Sequence, residues 1–216
     1  MHARGVFITF EGGEGVGKST NIAFLEEYLK SRGVELVVTR EPGGTRIGEE
    51  IRRLLLQVRD DAIAPMAELL LIFAARAQHI AEVIEPALGS GKWVLCDRFT
   101  DATYAYQCGG RGLDAGKVRT RETLGQGELR PDCTILLDAP VATGMERANG
   151  RGELDRFEQE HEQFFERVRA TYLRLAREGS GRYRVIDAGL PLEEVQRQLL
   201  ETCRELFAVW GVRHPR

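Results

Sequence analysis

A complete phosphate-loop motif, G-x-x-x-x-G-K-[ST], occupies residues 12–19, which read GGEGVGKS. The run VFITF at residues 6–10 is typical of a buried strand, and residues 20–32 have the apolar spacing of a helix, so the motif lies in the context that it requires. In such a loop, successive backbone N–H groups surround a phosphate, the lysine contacts the β and γ oxygens, and the final hydroxyl is a ligand of Mg²⁺. The sequence therefore predicts a nucleoside triphosphate site formed by Gly12, Gly13, Glu14, Gly15, Val16, Gly17, Lys18, Ser19 and Thr20.

Strand-like apolar runs alternate with longer helical patterns along the rest of the chain, which is typical of βαβ units around a parallel sheet. Strands are predicted near residues 6–10, 35–39, 93–97, 134–138 and 184–186. Helices are predicted at residues 20–32, 46–57, 65–88, 115–125, 141–148, 158–177 and 192–209. We therefore expect an α/β protein with the P-loop NTPase fold, a five-stranded parallel sheet with helices on both faces. Residues 1–216 are expected to form a single domain, with an arginine-rich lid at about 148–158.

Charge and cysteine content narrow the class of protein. The formal net charge of -3 provides no general attraction to nucleic acid or to a membrane surface, so anion recognition must come from individual arginines. The four cysteines form no C-x-x-C pair, which indicates reduced thiols. No stretch reaches the roughly 18 apolar residues of a membrane span, and residues 1–5 lead into the first strand without an apolar leader. We expect a cytoplasmic protein with no nucleic-acid or membrane partner.

Polar side chains lie where the predicted strands end, and ligands of open α/β sheets bind beyond the carboxyl ends of the strands. Arg40 follows the second strand, and Asp97 and Arg98 end the third. Asp97 suits Mg²⁺, and Arg98 suits an acceptor phosphate through a bidentate, charge-assisted pair. An ion pair between Asp97 and Arg98 is the plainer alternative. Asp138 also ends a strand, but capping of the following helix is the better explanation for it.

A second group of arginines occurs in residues 147–156, RANGRGELDR, where two glycines interrupt a helical pattern. Such a segment can close over a triphosphate, neutralise charge during phosphoryl transfer and exclude water. The phosphate loop contains no arginine, so a catalytic cation in addition to Lys18 is expected from Arg147, Arg151 or Arg156. Arg151, between the two glycines, is expected to stabilise the transition state most, and Arg147 to lie against the adenine. A solvated helix junction is the alternative interpretation.

Six further segments follow the phosphate loop in the order found in bacterial thymidylate kinases, and the chain resembles that family over nearly its whole length. These segments are TREPGGT at 39–45, FAARAQH at 73–79, DRF at 97–99, AYQ at 105–107, GGRG at 109–112 and GELDR at 152–156. Members of the family are nucleoside monophosphate kinases that phosphorylate dTMP to dTDP for dTTP biosynthesis. The resemblance implies ATP as co-substrate with Mg²⁺, dTMP as acceptor and a homodimer.

The resemblance also implies how the thymine is bound. Phe73 would stack on the base, and Arg76 and Gln107 would hydrogen-bond its edge, with Thr103 nearby. From the sequence pattern alone, Phe73 lies in the apolar face of a helix and would be assigned to the core. His79 is the histidine nearest to this site, and we interpret it as structural.

The same resemblance assigns residues to the phosphate and the sugar of dTMP. Arg40 and Arg98 would hold the acceptor phosphate. Glu14 would receive the 3′-hydroxyl, and Tyr106 would occupy the space of a ribose 2′-hydroxyl, which favours deoxyribose. No general base is expected, because the acceptor phosphate is already an anion at neutral pH.

Two residues depart from the family pattern. Cys108 replaces the first of three glycines that usually follow the glutamine, which is tolerable only if this position does not need a positive φ. Asn149 stands where some relatives carry an arginine, so more of the lid's charge would come from the neighbouring arginines.

Three other functions compete with this hypothesis. A kinase for another nucleoside monophosphate or a deoxynucleoside would share most of these features. A GTPase switch would share the phosphate loop, but the chain lacks the Asn-Lys-x-Asp sequence that reads guanine. A structural nucleotide-binding module is the third alternative, although the arginines around a second site favour an acceptor.

Overall fold

The computed structural model describes residues 4–58, 61–149, 155–179 and 181–210, apart from the side chains of residues 149, 209 and 210. Within these residues the strands of the sheet are β1 (Phe7–Glu11), β2 (Leu36–Arg40), β3 (Trp93–Asp97), β4 (Cys133–Asp138) and β5 (Tyr183–Asp187). All pairings between neighbouring strands are parallel, and the order across the sheet is β2-β3-β1-β4-β5. The predicted strands and the predicted parallel sheet are confirmed.

Helices surround this sheet and connect its strands. Their bounds are α1 (Lys18–Ser31), α2 (Arg46–Leu56), α3 (Pro65–His79), α4 (Glu85–Gly89), α5 (Thr100–Thr103), α6 (Ala115–Gln126), α7 (Val141–Asn149), α8 (Glu162–Glu178) and α9 (Leu192–Trp210). Two π-helical segments, Ile80–Ile84 and Tyr104–Gly110, connect α3 to α4 and extend α5. The helix predicted at 65–88 is therefore α3, a π-helical segment and α4 in succession. None of the described helices is long and apolar enough to cross a membrane.

The central strand β1 is covered on both faces, as the unbroken apolar run predicts for a parallel strand. Successive side chains of a strand point to opposite faces. Phe7 packs in a cluster with Ile84, whereas Ile8 packs with Leu25 of α1 and Leu199 of α9. This arrangement confirms that helices lie on both faces of the sheet.

The carboxyl ends of three adjacent strands meet at one edge. In the register, Asp97 of β3 pairs with Phe10 of β1 on one side and with Arg40 of β2 on the other. Because β1 leads directly into residues 12–17, the phosphate loop, Asp97 and Arg40 come together at this edge.

Residues 100–110 are helical, although no helix was predicted there. The apolar pattern is weak because this segment buries polar side chains, among them Asp101, Thr103 and Gln107. Of the described residues other than glycine, Arg98 alone has a positive φ, so Cys108 is accommodated without that strain.

The two glycines after Cys108 are required by close packing. A Cβ on Gly109 would lie 2.3 Å from the Thr171 hydroxyl oxygen, and one on Gly110 would lie 2.3 Å from the ring of Phe164. Helix α8 therefore approaches this segment too closely for any side chain at these positions.

Candidate active site

The phosphate loop connects β1 to α1 and contains three glycines in the left-handed region. Gly12, Gly15 and Gly17 have φ values of 137°, 67° and 86°. A Cβ on Gly15 would lie 1.8 Å from the backbone oxygen of Gly144, so the loop packs directly on the backbone of α7. Glycine is required here by both backbone conformation and space.

Lys18 is the first residue of α1, and its ammonium group lies over the loop. Its Nζ donates to the backbone oxygens of Gly13 at 2.7 Å and Gly12 at 3.3 Å. Burial, and next the charge of Arg98, lowers the pKa of Lys18. The cation therefore lies at the loop and the helix N-terminus, where a triphosphate would bind.

Arg98 reaches the same loop from the end of β3. Its guanidinium donates to the backbone oxygen of Gly12 at 2.8 Å and to Glu14 Oε1 at 2.6 Å, and the Tyr106 hydroxyl donates to that same carboxylate oxygen at 2.7 Å. Burial alone would lower the pKa of Arg98, but the charge of Glu14 raises it well above the usual value. The structure thus brings the predicted residues Glu14, Arg98 and Tyr106 together.

A buried carboxylate, Glu11, lies beneath Arg98. The Phe99 N–H donates to Glu11 Oε1 at 2.7 Å, and the Tyr172 hydroxyl bonds Oε2 at 2.9 Å and accepts from Arg98 at 3.3 Å. Arg98 has φ 68°, a conformation that is unusual for a residue with a side chain. The contacts of Glu11 hold the backbone next to this strained position. Burial, and next the charge of Asp101, raises the pKa of Glu11 from 4.5 to about 8.

This pKa predicts a pH dependence of stability. Between about pH 4.5 and pH 8 the folded protein holds a proton on Glu11 that the unfolded chain releases, so the free energy of unfolding must fall as the pH rises. Glu11→Gln keeps an acceptor for the Phe99 N–H but has no titrating group at position 11. Its free energy of unfolding should therefore lack the pH dependence that Glu11 contributes. Urea unfolding at a series of pH values should show the wild type losing stability relative to Glu11→Gln, while the exposed-site control Glu27→Gln follows the wild type. Parallel curves for the wild type and Glu11→Gln would show that the assigned pKa is wrong.

Asp97 and Ser19 lie in the wall of one cavity beside the phosphate loop, together with Arg40. Asp97 Oδ1 is buried, and no group among the described residues hydrogen-bonds it. A carboxylate oxygen and a hydroxyl suit Mg²⁺, which prefers oxygen ligands and binds through few protein groups plus substrate phosphates. The alternative interpretation, an ion pair between Asp97 and Arg98, is not supported, because Arg98 pairs with Glu14. Asp138, the other strand-end carboxylate, is held by Arg169 at 2.8 and 2.9 Å.

A second cavity opens next to Arg98, and we call it the three-arginine cavity because Arg52, Arg76 and Arg98 line it. Glu14 and Tyr106 belong to its wall and connect it to the phosphate loop. A cavity with three arginines in its wall is thus adjacent to the phosphate loop.

Arg76 is buried at the wall of the three-arginine cavity and has one unpartnered donor. Its Nε donates to Glu41 at 2.7 Å, and its Nη2 donates to Thr103 at 2.9 Å and to the backbone oxygen of Phe99 at 3.1 Å. Nη1 is buried, with no hydrogen-bond partner among the described residues. His79 bonds the other oxygen of Glu41 at 3.0 Å, which agrees with its structural interpretation.

The structure places Ile72, and not Phe73, in the wall of the three-arginine cavity. Phe73 packs in a core cluster with Leu69 and Val118, on the side predicted by the apolar helix pattern. Ile72 lies four positions before Arg76 and Phe73 lies three, so both share its helix face, and the Arg76 guanidinium lies over the Phe73 ring at 4.8 Å. Spacing along the sequence therefore does not distinguish the two residues, and only the shape of the cavity identifies Ile72.

Arg40, at the end of β2, and Arg52, on α2, line different cavities. Arg40 pairs with Glu49 at 3.0 Å and lies in the cavity of Ser19 and Asp97, outside the three-arginine cavity. Arg52, which sequence reasoning missed, lines the three-arginine cavity and donates to the backbone oxygen of Pro42 at 2.9 Å. Burial, and next the charge of Arg40, lowers the pKa of Arg52.

The predicted lid is described only in part, and Arg151 lies outside the described residues. Arg147 donates to the backbone oxygen of Ala188 at 2.8 Å. Arg156 donates to the backbone oxygen of Leu55 at 2.7 Å and to Glu68 at 2.5 Å. In this conformation the described lid arginines contact residues away from the phosphate loop.

Comparison with known proteins identifies close relatives. The family model for thymidylate kinase matches residues 10–199. The chain is 57% identical over 195 residues to a thymidylate kinase of Pseudomonas savastanoi pv. phaseolicola, covering 90% of this chain and 93% of the relative. It is 55% identical over 206 residues to that of Pseudomonas putida, covering 92% and 100%. The crystal structure of thymidylate kinase from Ehrlichia chaffeensis matches with a TM-score of 0.75 and 32% identity, over 93% of this chain and 99% of that one.

Proposed function

The chain belongs to the thymidylate kinase family, and on this basis we propose that it transfers the γ-phosphoryl group of ATP to dTMP, giving dTDP and ADP. The observation that carries the proposal is the pair of adjacent sites, a phosphate loop and a three-arginine cavity, joined by Arg98 and Glu14. A kinase for two polyanionic substrates needs both sites next to each other.

The chemistry follows from positioning and charge. Lys18 and the phosphate-loop N–H groups hold the triphosphate, while Arg98 and Arg52 hold the dTMP phosphate. An acceptor phosphate oxygen attacks the γ-phosphorus, the bond to the β-phosphate oxygen breaks, and ADP leaves. These cations reduce the repulsion between the two substrates. Because they are already in place, they stabilise the charge of the transition state without a cost in reorganisation. A lid cation, for which Arg151 remains our proposal, would add to them.

Ser19 and Asp97 are the residues that fit Mg²⁺, as the buried and unpartnered Asp97 oxygen supports. Bound there with ATP, Mg²⁺ would neutralise charge on the β- and γ-phosphate oxygens. Arg40, in the same cavity wall, would then lie near the oxygens of the triphosphate rather than at the dTMP phosphate.

The cavity wall supports a set of assignments for the base and the sugar, most of which the family resemblance also implies. Arg76 would donate Nη1 to the thymine O4, with Thr103 holding the guanidinium, and Gln107 would bond the N3 side of the base. Ile72 would pack on the base in place of Phe73. Glu14 and Tyr106, which share a hydrogen bond, would contact the deoxyribose. We further propose, from the family resemblance, a cytoplasmic homodimer.

A matched pair of substitutions tests the assignment of Ile72. Ile72→Ala should weaken dTMP binding by about 1–2 kcal/mol, because it removes buried methylene contacts with the base, and should leave ATP binding unchanged. Phe73→Leu should instead lower the free energy of unfolding by about 1–2 kcal/mol and leave dTMP binding nearly unchanged. Calorimetric titration and chemical unfolding measure both quantities. The reverse pattern would return the stacking role to Phe73.

The proposed function is tested by an ADP-release assay with a panel of nucleoside monophosphates and deoxynucleosides. We expect dTMP to give the highest kcat/KM, with dUMP lower by a modest factor, since one methyl group is worth about 1–3 kcal/mol. A preference for a purine monophosphate or for a nucleoside would assign the chain a different acceptor.

A further inference from the structure

A buried carboxylate, Glu68, controls a residue of the base site. Glu68 lies in the first turn of α3 and is 1% exposed. It accepts hydrogen bonds from Gln107 Nε2 at 2.9 Å, from Arg111 at 3.4 Å and from Arg156 at 2.5 Å. Two arginines thus balance its charge, and its remaining partner is the amide of Gln107.

This contact determines which way the Gln107 amide faces. A carboxylate only accepts hydrogen bonds, and of the two ends of a glutamine amide only the NH₂ group donates. Turning the amide over would bring its oxygen against the Glu68 oxygen and leave two buried acceptors without a donor between them. Gln107 is 2% exposed and lies in the wall of the three-arginine cavity, so its orientation is fixed where the base would bind.

The fixed orientation distinguishes one pyrimidine from another. One N–H of Nε2 is held by Glu68, so the amide atom on the other side of the group is the acceptor Oε1, which we assign to the ligand, and Arg76 offers the donor Nη1. Thymine and uracil present the matching pair, an O4 acceptor and an N3–H donor. Cytosine presents the opposite pair, an amino donor and an N3 acceptor.

We propose that Glu68 is a positioning residue that fixes the Gln107 amide and thereby excludes cytosine nucleotides from the acceptor site. The inference rests on the proposed function, because it concerns the selectivity of the same site. Glu68 acts through Gln107 and does not itself contact the base. Arg156 ties residues 155–157, two of which line the same cavity, to this carboxylate.

The substitution Glu68→Gln tests the inference, because an amide at position 68 can either donate or accept and so permits both orientations of Gln107. The ratio of kcat/KM for dTMP to that for dCMP should fall at least tenfold, since a site built to hydrogen-bond a ligand discriminates strongly only while its groups are fixed. The ratio for dTMP to dUMP should not change, because both bases present the same edge.

Two further variants separate positioning from a general structural effect. Glu68→Asp keeps an acceptor-only group and should retain the discrimination against dCMP. Arg111→Met removes another partner of Glu68 without offering Gln107 a new one, and it should also leave the dTMP to dCMP ratio as in the wild type. An unchanged ratio in folded Glu68→Gln, or a loss of discrimination in Arg111→Met equal to that in Glu68→Gln, would overturn the inference.

A crystal structure of the wild-type protein with dTMP keeps the inference testable if Glu68→Gln does not fold. Gln107 Nε2 must remain within hydrogen-bond distance of Glu68 while Oε1 lies at the thymine N3. A complex in which Gln107 has left Glu68 would overturn the inference and leave the proposed function intact. A wild-type protein that does not phosphorylate dTMP would instead contradict the proposed function.

Discussion

Lys18→Ala is expected to reduce kcat by about 10³-fold or more while the protein remains folded. Lys18 is the cation at the centre of the phosphate loop, and its described contacts are two backbone oxygens of that loop. Loss of one preorganised charge at a transferring phosphoryl group has effects of this size. The fold should persist, because the alanine removes no apolar packing from the core and suits a helix.

Steady-state kinetics and circular dichroism measure the two halves of this prediction. Lys30→Ala is the matched control, since Lys30 lies on the same helix, is exposed and pairs with Glu26. It should retain wild-type turnover. Near-normal turnover in Lys18→Ala would show that the phosphate-loop lysine takes no part in phosphoryl transfer.

Arg98→Met is expected to lower kcat/KM for dTMP by about 10³-fold, through a lower kcat and a higher KM. The guanidinium lies between the phosphate loop, through Gly12, and the three-arginine cavity. A cation in that position contacts the acceptor phosphate in the ground state and the transferring group in the transition state, so both parameters should change. Methionine retains much of the aliphatic volume of arginine. Like arginine, it carries a Cβ at φ 68°, so the backbone strain at this position is the same as in the wild type.

Arg130→Met serves as the control for Arg98→Met, because Arg130 is also an ion-paired arginine but belongs to a different, half-exposed pair with Glu122. Its kinetics should be those of the wild type. If Arg98→Met affected only the ATP parameters, Arg98 would belong to the triphosphate site alone, and the acceptor assignment would have to move to Arg52.

The sequence predicted the sheet and the phosphate loop because both follow from local rules. Buried parallel strands are continuous apolar runs, and the phosphate loop requires glycines, a lysine and a hydroxyl at fixed spacing. The same reasoning placed Asp97 and Arg98 at a strand end, and both lie at the carboxyl edge of the sheet. Family resemblance supplied Arg76 and Gln107, which the structure brings to one cavity wall.

The remaining features depend on tertiary contacts that no local pattern encodes. Glu68 and Glu11 are acidic residues within or at the end of apolar stretches, and their roles become visible only when Gln107 or Tyr172 is brought against them. Arg52 is one of several arginines on α2, and the sequence gives no reason to select it. Phe73 and Ile72 are both apolar and both lie on the helix face of Arg76, so the family motif assigned the aromatic residue, whereas the packing around α3 places Ile72 in the cavity wall.

The most direct test of the central claim follows the γ-phosphoryl group itself. Single-turnover mixing of the protein with ATP labelled at the γ-phosphate, Mg²⁺ and dTMP should give labelled dTDP and ADP in equal amounts, with no labelled inorganic phosphate. This result is predicted because the two sites share Arg98, so that the acceptor phosphate would lie next to the γ-phosphate. Two results would contradict direct transfer to dTMP: release of the label as inorganic phosphate, or consumption of ATP without formation of dTDP.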